Sequence, residues 1–505
     1  MNLFKKIDEF LHNLHIPKWL IILLFVVFIL RIPSLLEPYY YGDEMIYLNM
    51  GQGIRQGKIL YKEVHDNKPP LLYLTAAISG NLFWFKSILA FWNLITIVLF
   101  WKLAGTLFKK NKKLVGLSTV IFSLATTLPL LEGNIANAEL FMIGTTIAGF
   151  LILFSQKLNP KNLIIAGLMF SLSALFKVPA AFEFPAIVIF WLITSKNLKK
   201  DFSKIFKNTM FLSIGFLTPI LVTIIWYFLR GAGKEYLSQA FLQNFGYLSA
   251  FRPGDVQKPF LVRNAPLLIR AGITFLLILT VAAFRKRLSK NFIFLSIWLF
   301  LTLFAVTLSE RPYPHYLIQS MPAISLFFGI LVTERSIEQS LVVIPLAIFF
   351  FVPSYYKFWR YPILPYYKNF LLFSTRKINK ESYFKYFGKS TNNTYEISKV
   401  VNNVTGNRDP IFVWGEESPT VYALSKKLPP IKYVANYHID DFSNKEEVMS
   451  KITQNPPKVI VLLKNSPSFG ELYLFVRKSY VPIDSIGGSE IWYLTSDSTK
   501  SGLNI

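Results

Sequence analysis

Apolar runs recur through roughly the first two-thirds of this 505-residue chain, and they restrict its fold more than any other feature. A helix needs about 20 apolar residues to cross the hydrocarbon core of a bilayer. Such runs lie at 19–36, 86–104, 114–131, 138–154, 163–176, 178–194, 209–229, 266–284, 292–308, 315–332 and 337–355. That makes about eleven transmembrane helices by the ~20-residue rule. The chain is 52% apolar and only 16% charged, against about 25% charged in an average soluble chain. A single soluble globule is therefore excluded. Disorder is excluded too, because 47 Phe, 25 Tyr and 10 Trp are the composition of a chain that buries surface. The first run is too long for a cleaved signal peptide and lacks a small-residue site after it.

Lys and Arg number 54 against 29 Asp and Glu, a formal net charge of +25. In a soluble chain that excess would point to nucleic acid. Here the cations gather between apolar runs, as in Lys109–Lys113, Lys196–Lys207 and Arg285–Lys290, which is how membrane proteins fix their orientation. No nucleic-acid partner is expected. The positive-inside rule puts the N-terminus in the cytoplasm, and an odd number of spans puts the C-terminal segment outside. The expectation is a multi-pass protein of the cell (plasma) membrane. Its transmembrane domain is 1–355 with extracytoplasmic loops 37–85 and 230–265, followed by an extracytoplasmic soluble domain 356–505. Strand-like runs at 411–414, 459–463 and 491–494 alternate with helix-like stretches at 419–427, 445–453 and 471–479, which predicts a small α/β domain. Cys is absent and the 5 His show no HExxH spacing, so disulfides, a thiol nucleophile and a zinc site find no support.

The loop 37–85 concentrates chemistry. It carries Tyr41-Gly42-Asp43-Glu44, then a helix-spaced stretch 45–59, then Asp66-Asn67-Lys68-Pro69-Pro70. Asp43 can cap the helix, with Glu44 complementing its dipole. Equally, the two are an acidic pair suited to general-base work at the water boundary. Lys68 can anchor a helix at the headgroups, with Pro at its first turn. It can also be a fixed cation beside a phosphate leaving group. A base and a phosphate clamp on one loop form a reactive constellation.

The stretch GDEMIYLNMGQGIRQGKILYKEVHDNKPPLLY resembles the first extracytoplasmic loop of glycosyltransferase family 39, which includes protein O-mannosyltransferases and lipid A aminoarabinose transferases. ALFKVPAAFEFPAIVIFW, RPYPHYLIQSMPAISLF and IFVWGEESPTVYALSKKLPPIKYVANY agree with it. The resemblance implies an all-α polytopic membrane protein of the type C glycosyltransferase fold, with a C-terminal extracytoplasmic α/β domain. It implies a polyprenyl-phosphate-linked sugar donor held partly in membrane lipid, and an acceptor that is a protein, lipid or envelope glycan. Transfer would proceed with inversion. No cofactor is implied, and a divalent metal stays open. Asp43 takes the position of the base, Glu44 stands beside it, and Lys68 takes the donor phosphate. Some relatives carry an acid directly before that Lys, where this chain has Asn67 with Asp66 one place earlier.

Further candidates for donor phosphate are Lys177, Arg252 and Arg263, with Arg270 beside them; Lys177 either snorkels outward or faces the cleft. Glu139, Arg311 and His315 are candidates to line the cleft, and Glu139 equally suits a helix dipole. Asn392 and Asn403 stand in N-x-T sequons, which matter only in a host with that glycosylation pathway. A transporter or flippase of a lipid-linked saccharide is the rival class. It accounts for the spans and the buried charges, but not for the loop motif or the large outer domain.

Overall fold

The protein is described from a computed structural model over residues 16–243 and 259–495. Each expected span coincides with helix. Among the described residues, seven helices are long and apolar enough to cross a membrane, including Lys18–Leu35, Leu82–Leu107, Ala138–Ser155 and Leu198–Leu229. Pro160–Phe176, Val178–Thr194 and Lys290–Val306 are shorter apolar helices, and the run at 114–131 folds as Lys112–Ala125 and a 3-10 turn at Pro129–Leu131.

Local chemistry sets the helix starts. Asn81, Asn111, Asn159, Asn197 and Ser289 each accept a hydrogen bond from a backbone N–H in the first turn, satisfying donors that a helix leaves open. Helix Ala138–Ser155 is largely enclosed by its neighbours, whereas Leu198–Leu229 and Ala265–Ala283 leave most of their apolar side chains uncovered. Those two are the faces suited to lipid. Gly167 and Gly215 let the helices Pro160–Phe176 and Leu198–Leu229 meet backbone to backbone: a Cβ on either would lie 2.1 Å from a carbonyl oxygen of the other helix. Small residues at such crossings are how helices approach closely in a membrane.

Loop 37–85 folds into two short helices, Gly42–Arg55 and Leu71–Ser79. They cross at Gly51, where a Cβ would meet the Ala77 amide nitrogen at 2.6 Å. The segment between them carries Asp66, Asn67 and Lys68 and is thereby held against the Gly42–Arg55 helix. Two spans enter irregularly, through 3-10 turns at Val178–Phe182 and Pro314–Ser320. Each has proline in its first turn, where the missing N–H is not needed.

After residue 355 come three helices, Ile363–Ser374, Lys380–Lys385 and Thr391–Val404, which the charge and turn pattern did not announce. The sheet follows in the order β1-β2-β4-β3, with β1 Ile411–Trp414, β2 Val459–Leu462, β3 Tyr480–Ile486 and β4 Ser489–Leu494. β1 and β2 are parallel, and the other two pairs are antiparallel. β3 is a strand that the sequence reading missed. It lies at the edge, mostly exposed, with Pro482 beside an irregularity in register, and edge strands of that kind lack a clear apolar pattern. A helix-like stretch was expected at 419–427 and folds as Ser418–Ser425.

Candidate active site

A cleft of about 650 Å³ lies between the helix ends of the membrane half and the C-terminal segment. Asp43, Asp66, Asn67, Lys68, Glu139, Lys177, Arg311 and His315 all line it. Eight of the sequence candidates, drawn from four separate stretches of chain, are thus brought together.

Asp43 does not cap its helix. The N-cap is Tyr41, and Asp43 sits inside the first turn with no capping hydrogen bond from its neighbourhood. Its Oδ2 accepts from the hydroxyl of Tyr47 at 2.9 Å, one turn further along the same face. Lys68 Nζ stands 3.9 Å from the same oxygen and 4.8 Å above the Tyr47 ring. This pair is loose and partly open to water, with side-chain exposures of 21% for Lys68 and 37% for Asp43.

Lys68 is fixed through its backbone. Its N–H donates to the Tyr73 hydroxyl at 3.0 Å, and its carbonyl accepts from the Tyr61 hydroxyl at 2.9 Å. The Tyr73 hydroxyl donates in turn to Asp66 Oδ2 at 2.7 Å, while Asp66 Oδ1 accepts from the Asn67 N–H at 2.8 Å. Burial pushes the Asp66 carboxyl up, but Lys68, the nearby His438 and these two donors outweigh it and hold it below the usual carboxylate range. Asp66, and not Asn67, is therefore the anion behind Lys68.

On the opposite side, Lys177 forms an ion pair with Glu139 and lies 3.8 Å above the Tyr316 ring. It faces the cleft rather than snorkelling away. His315 bridges two acids: its Nδ1 pairs with Glu132, and its Nε2 lies 3.8 Å from Glu139. The hydroxyl of Tyr41 donates to Glu132 at 3.0 Å. Gln319, which also lines the cleft, donates to the Pro179 carbonyl and to Glu183, each at 3.1 Å, and Trp298 donates to Glu183 at 2.9 Å. Sequence reasoning missed Glu132, Glu183 and Gln319. Nothing in their local spacing marks them.

Three candidates fall elsewhere. Glu44 is fully buried beneath the cleft, where its Oε1 accepts from the Ala136 N–H at 2.7 Å and its Oε2 lies 3.2 Å from Lys86 Nζ. Lys86 also pairs with Glu37, which accepts from Asn134 at 2.8 Å and from the Tyr366 hydroxyl at 2.5 Å. Burial raises the Glu44 carboxyl to about 7 against the pull of Lys86. Arg263 does not line the cleft. Nor does Arg270, which binds Glu310 at 2.6 Å and Tyr356 at 2.7 Å. Arg252 lies outside the described residues.

The remaining wall comes from the C-terminal segment, through Glu416, Pro419, Tyr437, His438, Asp441 and Phe442. It is tied to loop 37–85 by the His65 N–H donating to the Lys432 carbonyl at 2.9 Å, and by Asn49 donating to the Pro419 carbonyl at 2.8 Å. The His65 ring packs on Tyr433, His438 and Phe442. Burial lowers both imidazoles, His65 to about 3. Among the described residues, no group of three or more His, Asp or Glu is arranged to hold a metal ion.

Residues 67–234 match the family described as Dolichyl-phosphate-mannose-protein mannosyltransferase. The match takes in Lys68, Glu139 and Lys177, and begins after Asp43. No curated protein matches the chain. In structure, the chain is similar to ArnT from Cupriavidus metallidurans bound to undecaprenyl phosphate, at 13% identity and a TM-score of 0.57, over 95% of this chain and 98% of that one. The apo state of the same protein gives 12% identity with the same coverage and TM-score. The archaeal oligosaccharyltransferase AglB from Archaeoglobus fulgidus overlays more loosely, at 12% identity and a TM-score of 0.42 over 88% of this chain and 69% of that one. The chain has the type C glycosyltransferase fold, and the resemblance to glycosyltransferase family 39 read in its sequence holds over residues 67–234.

Proposed function

We propose that this protein is an integral-membrane glycosyltransferase that moves a sugar from a polyprenyl-phosphate donor to an acceptor hydroxyl on the extracytoplasmic face of the cell membrane. The observation that carries it is the juxtaposition of Asp43 and Lys68 at 3.9 Å on one wall of a cleft set at the ends of apolar helices. A lipid-linked donor needs such a place: its chain lies in the bilayer while its phosphate and sugar reach polar groups. That ArnT holds undecaprenyl phosphate in the same fold supports this donor class.

In the reaction, Asp43 accepts the proton of the acceptor hydroxyl. The hydroxyl oxygen forms a bond to the anomeric carbon from the face opposite the phosphate. The bond between that carbon and the phosphate oxygen breaks, and its electron pair leaves with the polyprenyl phosphate. Lys68 meets the charge that grows there, a stabilisation strongest in the transition state. Lys177, paired with Glu139, and Arg311 also line the cleft. Tyr47 holds Asp43 Oδ2, leaving Oδ1 to receive the proton.

The test is incubation of the purified protein in detergent with a labelled polyprenyl-phosphate sugar and envelope acceptors. A transferase yields labelled acceptor and released polyprenyl phosphate; a flippase yields neither. Orientation is tested by reporter fusions at Ser195 and Lys426, which should report opposite sides of the membrane, with Ser195 cytoplasmic. The same side for both would leave the cleft on the wrong face for this reading.

A further inference from the structure

A second cavity, of about 390 Å³, lies where loop 37–85 meets the C-terminal segment, and it shares no lining residue with the cleft. Its volume is in the range of ligand pockets. Four cations line it: Lys58 and Lys62 from the loop, Lys432 and Lys451 from the C-terminal segment. Two carboxylates line it as well, and both are held within their own segments. Glu63 Oε2 accepts from the Ile59 N–H at 2.7 Å, and Glu447 Oε2 accepts from the Ser443 hydroxyl at 2.6 Å. Among the described residues, none of the four ammoniums forms an ion pair. That of Lys432 lies 5.0 Å above the Tyr433 ring instead. Positive charge is thus in excess along this seam, and like charges held together repel.

Lys62 places the cavity relative to the bilayer. Its Nζ lies 3.6 Å from the position that a Cβ would take on Gly231. Gly231 follows the end of the helix Leu198–Leu229, which leaves most of its apolar side chains uncovered. In the last turn of that helix Trp226 is exposed, and Arg230 stacks on its ring at 4.8 Å. An exposed aromatic ring with a cation at the end of a span marks the headgroup level. The cavity therefore stands beside the layer in which lipid phosphates lie.

We propose that this cavity is an anion site separate from the cleft, which takes the phosphate of an anionic lipid head group and so fastens the C-terminal segment to loop 37–85. A phosphate there accepts charge-assisted hydrogen bonds from lysines of both segments at once, and it offsets the repulsion between them. The Lys432 carbonyl accepts from the His65 N–H at 2.9 Å, so the same contact braces the backbone that leads into Asp66 and Lys68. A free phosphate offers the same charge, and the experiment separates the two sources. The site stands whether or not the cleft transfers a sugar.

Full-length protein in an uncharged detergent is mixed with phosphatidylglycerol or phosphatidylcholine, and the lipid it retains is read by native mass spectrometry. In parallel it is melted with rising inorganic phosphate, against chloride at equal ionic strength. Phosphatidylglycerol should be retained in preference to phosphatidylcholine, and it should raise the melting temperature, as a ligand of the folded state does. Lys62→Gln combined with Lys451→Gln removes one exposed cation from each side of the seam. The double variant should bind phosphatidylglycerol roughly tenfold or more weakly, as loss of charge-assisted hydrogen bonds does. Without any anion it should melt no lower than the wild type, because it relieves repulsion and breaks no pair. Lys68→Met should keep the preference, which separates this cavity from the cleft. A preference that Lys68→Met abolishes, or that the double variant leaves intact, overturns the inference, as does retention of both lipids alike. A rise in melting temperature with inorganic phosphate that depends on Lys62 and Lys451, with no preference among lipids, would assign the site to a soluble anion and overturn its lipid source.

Discussion

Asp43 and Glu44 are adjacent on one helix, yet their carboxylates have opposite surroundings. Successive helical residues point about 100° apart, so one faces the cleft and the other the protein interior. Asp43 has a partly exposed cation 3.9 Å away and a hydroxyl donor. Glu44 is enclosed with Lys86, Glu37 and the Ala136 N–H. A loosely held, solvent-reached carboxylate can exchange partners during a reaction; a buried one paired with a buried cation cannot do so without leaving charge unpaired. The comparison assigns chemistry to the open pair and rigidity to the closed one.

The sharpest way to break it is Asp43→Asn, which keeps size and the contact with Tyr47 while removing proton-accepting capacity. Transfer should fall about 10²–10⁴-fold, with yield and melting temperature unchanged. Near-normal transfer would remove Asp43 from the chemistry. Lys86→Met should do the reverse. It strands two buried carboxylates, and breaking a buried pair typically costs about 3–5 kcal/mol. The measurable outcome is loss of folded protein in size-exclusion chromatography, not a folded enzyme with low turnover. A stable, inactive Lys86→Met protein would show that the closed cluster takes part in the reaction.

Lys68 belongs to the open pair, and its substitution separates a phosphate partner from a headgroup anchor. Lys68→Met should lower turnover about 10²–10³-fold, as loss of one preorganised charge partner does. Lys68→Arg should recover only part, because the planar guanidinium distributes its charge differently from a compact ammonium over the Tyr47 ring. Arg snorkels as well as Lys. A silent Lys68→Arg with a poorly expressed Lys68→Met would make the residue an anchor.

Much of the frame was legible in the sequence because hydropathy acts over contiguous residues. Every apolar run became helix, and the strands Ile411–Trp414 and Val459–Leu462, buried along their length, stood out as apolar runs. The helix Gly42–Arg55 was visible too, and the resemblance put Asp43 in the base position with Glu44 beside it, but the enclosure of Glu44 was not legible, since adjacency in sequence does not reveal which side chain the bundle will cover. The C-terminal wall was invisible for a different reason. His438 meets Asp66 across hundreds of intervening residues, and no local pattern encodes a contact of that range. Glu132 is similar: it pairs with His315 through the fold. Arg263 looked as eligible as Arg311 by residue type and loop position, and only the fold separates them.

The smallest effect tests how finely Lys68 is placed. The Tyr73 hydroxyl joins the two ends of the Asp66–Lys68 segment, donating to Asp66 Oδ2 and accepting from the Lys68 N–H. Tyr73→Phe removes both bonds while keeping the ring. A hydrogen bond to a charged group typically contributes about 1.5–3 kcal/mol, so the variant should melt lower at neutral pH. The pH dependence has a definite sign. The Asp66 carboxyl is held below its ordinary value in the folded protein, against about 3.9 for an unperturbed Asp. Its contribution to stability is therefore complete above the unfolded value and lost as pH falls through the folded value. Without the Tyr73 donor the folded value moves back toward the unfolded one, so less stability remains to be lost. The gap in melting temperature between wild type and Tyr73→Phe should be widest at neutral pH and narrow on acidification. Turnover should fall about tenfold, roughly the effect of losing one positioning hydrogen bond. A gap that stays constant with pH would mean that Tyr73 supports the backbone of Lys68 alone, and that Asp66 owes its low value to the neighbouring ammonium rather than to the hydroxyl.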